Sequence, residues 1–99
     1  MMTILSRVRI RPDEEQAWEA VFRERAAAAR DQPGFVSVQL AVPADAPSER
    51  VIIGTWETQQ DWEAGHGHEA FAETRRQLEE VDDEKAQDRW HEVVVHERA

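Results

Sequence analysis

Four short apolar segments are separated along this chain by helical or loop-like stretches, and their order limits the folds that the chain can adopt. The segments are TILSRVRI (3–10), FVSVQLAV (35–42), RVIIGTW (50–56) and RWHEVVVHE (89–97). Side chains of different character alternate in the first two, as in strands that have two unlike faces. The resulting order β-α-β-β-α-β predicts an α+β, ferredoxin-like fold, in which a four-stranded antiparallel sheet carries two helical regions on one face.

The first helix is expected between Pro12 and the Pro33–Gly34 pair. Asp13 is a candidate N-terminal cap, and Gln16 follows it by three residues, as in a capping box. A glycine suits the left-handed position that ends many helices. The spacing therefore predicts one long helix between the first two strands.

The second helical region is expected directly after the third strand. Thr58 and Asp61 form a candidate capping pair before Trp62. Gly65 and Gly67 weaken the continuity of a helix, so this region is predicted to be two short helices or one kinked helix.

The second face of the sheet is predicted to be apolar. It is expected to carry Phe35, Gln39, Ile52 or its neighbours, and part of Trp56. The chain of 99 residues makes a single domain, 1–99, and a domain of this size buries only about 60–65% of its unfolded surface. These observations predict a two-fold homodimer that packs sheet to sheet.

Charge and composition exclude several classes of function. Twelve basic and 21 acidic residues give a net charge of −9, which argues against binding to nucleic acid or to an anionic membrane. The chain has no cysteine, so disulfides, thiolate metal sites and thiol nucleophiles are absent. No apolar run approaches the ~20 residues that span a bilayer. The N-terminus does not resemble a signal peptide, so a cytoplasmic protein is expected.

The segment from Val51 to Arg75 is the candidate site. It carries five aromatic or imidazole side chains that could line one wall of a small pocket: Trp56, Trp62, His66, His68 and Phe71. A histidine pKa near ~6.5 suits the removal of a phenolic or carbon-bound proton at neutral pH. The alternative is that both histidines are exposed at a glycine-rich helix junction. The His66–Gly67–His68 pair would need a third ligand, which His91 or His96 with a nearby carboxylate could supply only if the fold brought them together, so no metal site is predicted.

Two polar side chains are further candidates. Arg7 could stabilise a phenolate or a developing superoxide by charge-assisted hydrogen bonding. Its alternative role is an ion pair at the surface or in the dimer interface. Gln39 could orient a carbonyl group of the substrate.

The chain resembles the antibiotic biosynthesis monooxygenase superfamily of dimeric α+β barrels. The resemblance rests on RIRPDEEQAWEAVF, PGFVSVQL, GTWETQQDWEAGHGHEAF and RWHEVVV, and it covers nearly the whole chain. It implies a pocket in each protomer between the sheet and the helices. Similar small members oxidise phenolic or anthrone-type polyketides with O2 and without a cofactor, and a haem-degrading branch binds haem in the same pocket.

Three positions depart from that haem-degrading branch. The branch has an asparagine on the first strand, a tryptophan in the second helical region and an axial histidine further along, where this chain has Arg7, Gly65 and Arg75. The tryptophan shared by several cofactor-free members also falls at Gly65. Haem therefore stays a minor possibility, with His66 or His68 as a shifted ligand.

The resemblance and the residues together predict a small cofactor-independent monooxygenase that oxidises an aromatic, phenolic or quinol-like molecule with O2. The expected catalytic residues are His66, His68 and Arg7. The residues expected to contact a small hydrophobic aromatic ligand are Trp62, Phe71, Trp56 and Gln39. Two alternatives remain: a non-catalytic or haem-binding pocket protein of the same fold, and a structural dimer whose pocket is filled by its own side chains.

Overall fold

The computed structural model describes residues 1–67, 73, 76–78 and 87–99. Its elements are β1 (Met2–Arg9), α1 (Glu15–Arg30), β2 (Phe35–Ala41), β3 (Glu49–Trp56), α2 (Gln59–His66) and β4 (Gln87–Glu92). The strands form one antiparallel sheet in the order β2-β3-β1-β4. The predicted α+β, ferredoxin-like fold is confirmed, although β4 ends at Glu92 rather than at Glu97.

The helix α1 covers one face of the sheet with an apolar stripe. Trp18 is 1% exposed, and its ring stacks on that of Phe22 with 5.5 Å between centroids. These rings pack with Val8, Ile10 and Leu78 into the larger of two core clusters. Burial of large apolar side chains at this spacing fixes the helix against the sheet.

The start of α1 differs from the expected capping box. Glu14 occupies the N-cap position and makes no side-chain cap hydrogen bond. Asp13 has a φ of 67°, which places it in the left-handed region that aspartate tolerates better than most residues. The prediction that Asp13 caps the helix is therefore wrong, because this residue turns the chain before the helix begins.

The two faces of the sheet are set by the register between β1 and β3. The face under the helices carries Ile4, Ser6 and Val8 of β1, all buried. The opposite side, here called the open face, carries Leu5 opposite Ile53 and Arg7 opposite Val51. Directly paired residues share a face, so these side chains form a common surface.

A β-bulge near the start of β2 alters the predicted face of Phe35. The register pairs Phe35 with Trp56 and Ser37 with Thr55, so Val36 is the extra residue. Phe35 therefore lies on the helix side, where its ring meets that of Trp56 edge-on at 5.4 Å. A bulge shifts the alternation by one residue, which is why the predicted face of Phe35 is wrong.

Two other residues expected on the open face also lie on the helix side. Ile52 packs against the larger core cluster, and Trp56 is 3% exposed in the smaller one. The neighbours of Ile52, which the sequence analysis gave as its alternative, do lie on the open face: Val51 and Ile53 form its apolar part together with Leu5. Among the described residues, no helix has both the length and the apolar character needed to cross a membrane.

Candidate active site

Five ring-bearing residues from four elements meet on the helix side of the sheet. They are Phe35 of β2, Trp56 of β3, Trp62 and His66 of α2, and Trp90 of β4. We call this group the aromatic cluster. Edge-on and stacked ring pairs are the favourable geometries between aromatic side chains, so the contacts within the cluster stabilise the orientation of each ring.

The helix α2 presents Trp62 and His66 on the same side because they are four residues apart. Their rings stack with centroids 4.0 Å apart and an interplanar angle of 29°. The ring of Trp90 meets Trp62 edge-on, with centroids 5.2 Å apart. Trp62 is thus held between the imidazole of its own helix and a tryptophan of the edge strand.

The start of α2 is capped as the sequence predicts. The hydroxyl oxygen of Thr58 accepts a hydrogen bond from the backbone N–H of Asp61 at 3.0 Å. The same hydroxyl donates to the Asp61 carboxylate at 2.8 Å. The backbone N–H of Glu57 donates to the carbonyl oxygen of Gly34 at 2.7 Å. The cap and this bond fix the position from which Trp62 and His66 project.

The hydrogen bond of His66 defines its tautomer. Its Nδ1 lies 2.8 Å from the backbone carbonyl oxygen of Trp62. A carbonyl oxygen can only accept, so Nδ1 is the nitrogen that carries the hydrogen. In the neutral ring the lone pair is then on Nε2. The half-buried imidazole is thereby held in a defined orientation by the backbone of its own helix.

Trp56 forms the floor of the aromatic cluster. Its ring centroid lies 6.2 Å from that of His66, and its side chain is almost wholly buried. The buried Gly65 lies directly above the ring, since a Cβ atom built there would be 3.3 Å from Trp56 Cη2. The absence of a side chain at Gly65 is what lets α2 approach Trp56 this closely.

Trp90 and Phe35 were not among the predicted site residues. Trp90 enters the cluster because the β1–β4 register places it opposite Ile4, on the helix side. Phe35 enters through the β-bulge. Neither the register nor the bulge has a signal in the sequence that would have placed Trp90 beside Trp62 or Phe35 beside Trp56.

Arg7 and Gln39 lie on the open face, across the sheet from the aromatic cluster. Arg7 is largely exposed, and its Nε donates to Glu49 Oε1 at 2.9 Å. This hydrogen bond lowers the pKa of Glu49 and raises the pKa of Arg7. Gln39 is exposed opposite Ile53. The structure therefore brings together Trp56, Trp62 and His66 and separates Arg7 and Gln39 from them.

Two predicted site residues, His68 and Phe71, lie outside the described residues. His66 is the described member of the histidine pair. In the described part of the chain, no three histidine, aspartate or glutamate side chains are grouped as metal ligands.

The fold and the aromatic cluster define an α+β, ferredoxin-like domain with a histidine-containing aromatic site between sheet and helices. The profile of the antibiotic biosynthesis monooxygenase family matches residues 1–77. The chain therefore belongs to the antibiotic biosynthesis monooxygenase family.

Solved structures agree with this fold. A protein from Nitrosomonas europaea assigned to the antibiotic biosynthesis monooxygenases has a TM-score of 0.89 at 16% identity, covering 96% of this chain and 100% of its own. SnoaB from Streptomyces nogalater, a cofactor-independent oxygenase, has a TM-score of 0.85 at 20% identity, with coverages of 96% and 94%. A conserved protein from Methanosarcina mazei has a TM-score of 0.87 at 11% identity, with coverages of 91% and 89%. No curated protein matches the chain by sequence.

Proposed function

We propose that this chain is a small cofactor-independent monooxygenase that oxidises an aromatic, phenolic or quinol-like molecule with O2. The observation that carries the proposal is the stacked Trp62–His66 pair, in which the hydrogen bond between Nδ1 and the Trp62 carbonyl oxygen fixes the orientation of the imidazole. Membership of a monooxygenase family and likeness in fold to a cofactor-independent oxygenase support it.

The proposed reaction starts with proton transfer to His66 Nε2 from a phenolic or activated carbon-bound group of the substrate. The resulting anion gives one electron to O2, which yields a substrate radical and superoxide. These two combine through a new C–O bond, and the peroxide takes the proton back from His66. Loss of water breaks the O–O bond and leaves a carbonyl, so a substrate SH2 and O2 become SO and H2O.

The flat rings of the aromatic cluster suit such a substrate. Trp62 and Trp90 provide edges and faces at right angles to each other, and Trp56 provides the floor. Aromatic stacking contributes about 0.5–1.5 kcal/mol beyond burial of area. We assign Trp62 and Trp56 to substrate contact, together with Phe71, and keep His68 as the second candidate base.

The haem alternative fits this chain poorly. Two of the three positions that the haem-degrading branch uses are occupied here by Arg7 and Gly65. Arg7 is paired with Glu49 on the open face, and Gly65 is covered by the Trp56 ring. Neither offers a ligand or a support for a macrocycle on the helix side. The proposed reaction therefore uses no haem.

We further propose that two copies pair through their open faces. Leu5, Val51 and Ile53 give that face an apolar centre, and all three are only half-buried in a single chain. We assign Arg7 and Gln39, at its margin, to the interface rather than to catalysis. The dimer would thus leave the aromatic cluster of each copy on its outer, helix side.

The test is anaerobic binding of an anthrone and quinol panel, followed by admission of O2 and detection of product. His66→Gln should bind ligand like the wild-type protein but turn over about 10²–10⁴-fold more slowly, since proton transfer is worth this much. Glu63→Gln, an exposed change on the same helix, should leave both properties unchanged.

Three results would count against parts of this proposal. No turnover across the panel, with ligand binding intact, would refute the monooxygenase function. Wild-type turnover in His66→Gln and its loss in His68→Gln would move the base to His68. A Soret shift on haem titration that His66→Gln abolishes would favour the haem-binding alternative.

A further inference from the structure

The base of the proposed reaction lies at the C-terminal end of its helix. His66 is the last residue of α2, and Gly67 is the C-cap. The carbonyl oxygens of the last helical turn carry a partial negative charge, which stabilises a cation beside them. The imidazolium that proton transfer to His66 creates is such a cation, so this position favours the charged form of the ring.

The hydrogen bond at Nδ1 acts in the same direction. His66 Nδ1 lies 2.8 Å from the backbone carbonyl oxygen of Trp62. In the imidazolium both ring nitrogens carry hydrogen, so Nδ1 donates to this carbonyl whichever tautomer the neutral ring adopts. A hydrogen bond from an ionised donor is about twice as strong as one between neutral groups. The bond therefore strengthens when the ring becomes charged, and it keeps the ring from turning away from Trp62.

The indole ring of Trp62 stacks on the imidazole of His66. Their centroids are 4.0 Å apart, and their planes differ by 29°. The face of an indole carries partial negative charge, and a cation within about 6 Å of the ring centroid is attracted to it. The ring of Trp56 also contacts the imidazole, but at 6.2 Å and with planes inclined by 65°. Trp62 is therefore the better placed of the two rings to stabilise the imidazolium.

Two contacts limit the movement of the Trp62 ring. One is the stack with His66, and the other is Trp90 of β4, which meets Trp62 edge-on at 5.2 Å with planes at 85°. Trp62 and His66 are both half-buried. Partial removal of water strengthens a cation–π contact relative to one at an exposed site. The stack is thus held in a surrounding where it has an electrostatic effect on the imidazole.

Charged side chains also lie on the elements that pack around His66, on and beside α2, at the end of α1 and on the helix side of β4. They are Glu57, Asp61, Glu63, Arg30, Asp31, Asp88 and Glu92. Asp61 accepts from the hydroxyl of Thr58, and the other six are exposed. Salt screens exposed charges, with a Debye length of about 3 Å at about 1 M. A titration in concentrated salt therefore separates their effect from that of the ring in contact.

We propose that Trp62 is a positioning residue for the base: its indole face stabilises the imidazolium of His66 and so strengthens His66 as the acceptor of the substrate's proton. The consequence for turnover rests on the proposed function, whereas the stabilised imidazolium is a property of the protein without substrate. The inference is independent of the open-face dimer, which sedimentation equilibrium tests separately: a monomeric wild-type protein would refute that dimer.

The first test follows the imidazole signals by NMR as a function of pH, in about 1 M salt. The signal that His66→Gln removes belongs to His66. Trp62→Leu should lower the measured pKa of His66 by at least about 0.5 unit, which corresponds to ~0.7 kcal/mol. Trp62→Phe should lower it by less, because a phenyl ring also attracts cations but does so more weakly than an indole. Circular dichroism shows whether each variant is folded, and Trp62→Phe carries the test if the leucine variant is not.

The sign of this change separates the proposed role from a structural one. Leucine keeps an apolar cover over the imidazole but has no ring face. If Trp62 acted only by excluding water, its removal would raise the pKa of His66, because burial disfavours the charged form of a histidine. A fall in the pKa is expected only if the ring face stabilises the imidazolium.

Two variants are matched controls for this titration. Phe35→Leu removes a ring of the same cluster whose contact is with Trp56. Glu63→Gln removes an exposed charge of the same helix. Each should leave the pKa of His66 within about 0.2 unit of the wild-type value in concentrated salt. The signals of the exposed His91 and His96 serve as internal references in every spectrum.

The second test is the pH dependence of turnover with any substrate of the panel that reacts. The rate should fall at low pH as His66 becomes protonated and can no longer accept a proton. In Trp62→Leu, the pH at which the rate is halved should move down by the same amount as the pKa measured by NMR.

The outcomes distinguish this inference from the proposed function. A pKa of His66 that is unchanged or raised in Trp62→Leu refutes the inference, and so does an equal fall in Phe35→Leu or Glu63→Gln. The expected fall in Trp62→Leu, together with no turnover of the panel by the wild-type protein, supports the stabilised imidazolium and refutes the monooxygenase function. Turnover whose pH dependence is the same in Trp62→Leu and the wild-type protein refutes the role of Trp62 in the reaction.

Discussion

Replacing Gly34 with alanine is expected to lower the free energy of unfolding by about 2–3 kcal/mol. Gly34 has a φ of 83°, and an L-residue in this left-handed region costs roughly 1–2 kcal/mol. A Cβ atom added there would also overlap the Cγ and Oδ2 atoms of Asp61. Asp61 would have to move, and loss of its capping interaction with Thr58 costs about 1 kcal/mol more.

Gly67 at the end of α2 and the capping Thr58 provide matched controls. A Cβ atom on Gly67 would be 3.6 Å from the carbonyl oxygens of Glu63 and Ala64, at a φ of −79°. That is ordinary contact, so Gly67→Ala should change stability by no more than about 0.5 kcal/mol. Thr58→Ala removes the cap alone and should lose about 1 kcal/mol. The expected order of loss is therefore Gly34→Ala, then Thr58→Ala, then Gly67→Ala.

The assay is urea denaturation followed by tryptophan fluorescence and circular dichroism. All variants must be compared at one protein concentration, because association adds to apparent stability. The reasoning is wrong if Gly34→Ala lies within about 0.5 kcal/mol of the wild-type protein, the range of a neutral surface change. It is also wrong if Gly67→Ala causes the larger loss, since α2 would then not be docked on the turn at Gly34.

Two further predictions concern ion pairs. The buried Arg50 donates from Nε to Glu19 Oε1 and from one terminal nitrogen to the carbonyl oxygens of Pro47 and Glu49. In the same assay, Arg50→Met should lower the free energy of unfolding by about 2–4 kcal/mol, because charged hydrogen bonds contribute about 1.5–3 kcal/mol each and water replaces only part of this. A loss smaller than that of Glu19→Gln would contradict this prediction. The hydrogen bond from Arg7 lowers the pKa of Glu49 below its ordinary value of 4.5. The ion pair therefore contributes fully to the stability of the fold above pH 4.5, and this contribution is lost as the pH falls through the lowered pKa of the folded state. Below that ordinary value, the stability of the wild-type protein should therefore fall more steeply than that of Arg7→Gln, as followed by thermal melts at a series of pH values, and parallel curves would contradict the ion pair.

Periodicity was enough to predict the order of the elements and the two faces of β1. Ile4, Ser6 and Val8 are buried under the helices as their alternation predicts. The Thr58–Asp61 cap was also predictable, because a hydroxyl three residues before a carboxylate is a local signal that needs no tertiary contact.

The sequence did not predict which face of the sheet each β2 residue takes, or which residues of different elements come into contact. Nothing in FVSVQLAV marks Val36 as the bulged residue, since the segment has neither glycine nor proline. The meeting of Trp62 with Trp90 depends on the β1–β4 register, which couples residues far apart in sequence. The alternation placed Arg7 on the correct side of β1. It did not show that the aromatic cluster lies on the other side of the sheet.

The bulge in β2 links the two faces of this thin domain. It places Phe35 under the helices, where its ring meets Trp56 edge-on, and it leaves Val36 exposed at the sheet edge. Without the extra residue, the alternation of β2 would shift by one and Phe35 would leave the aromatic cluster. One irregular residue thus decides which side chains of β2 reach the proposed ligand site, because each strand of a single sheet has only two sides.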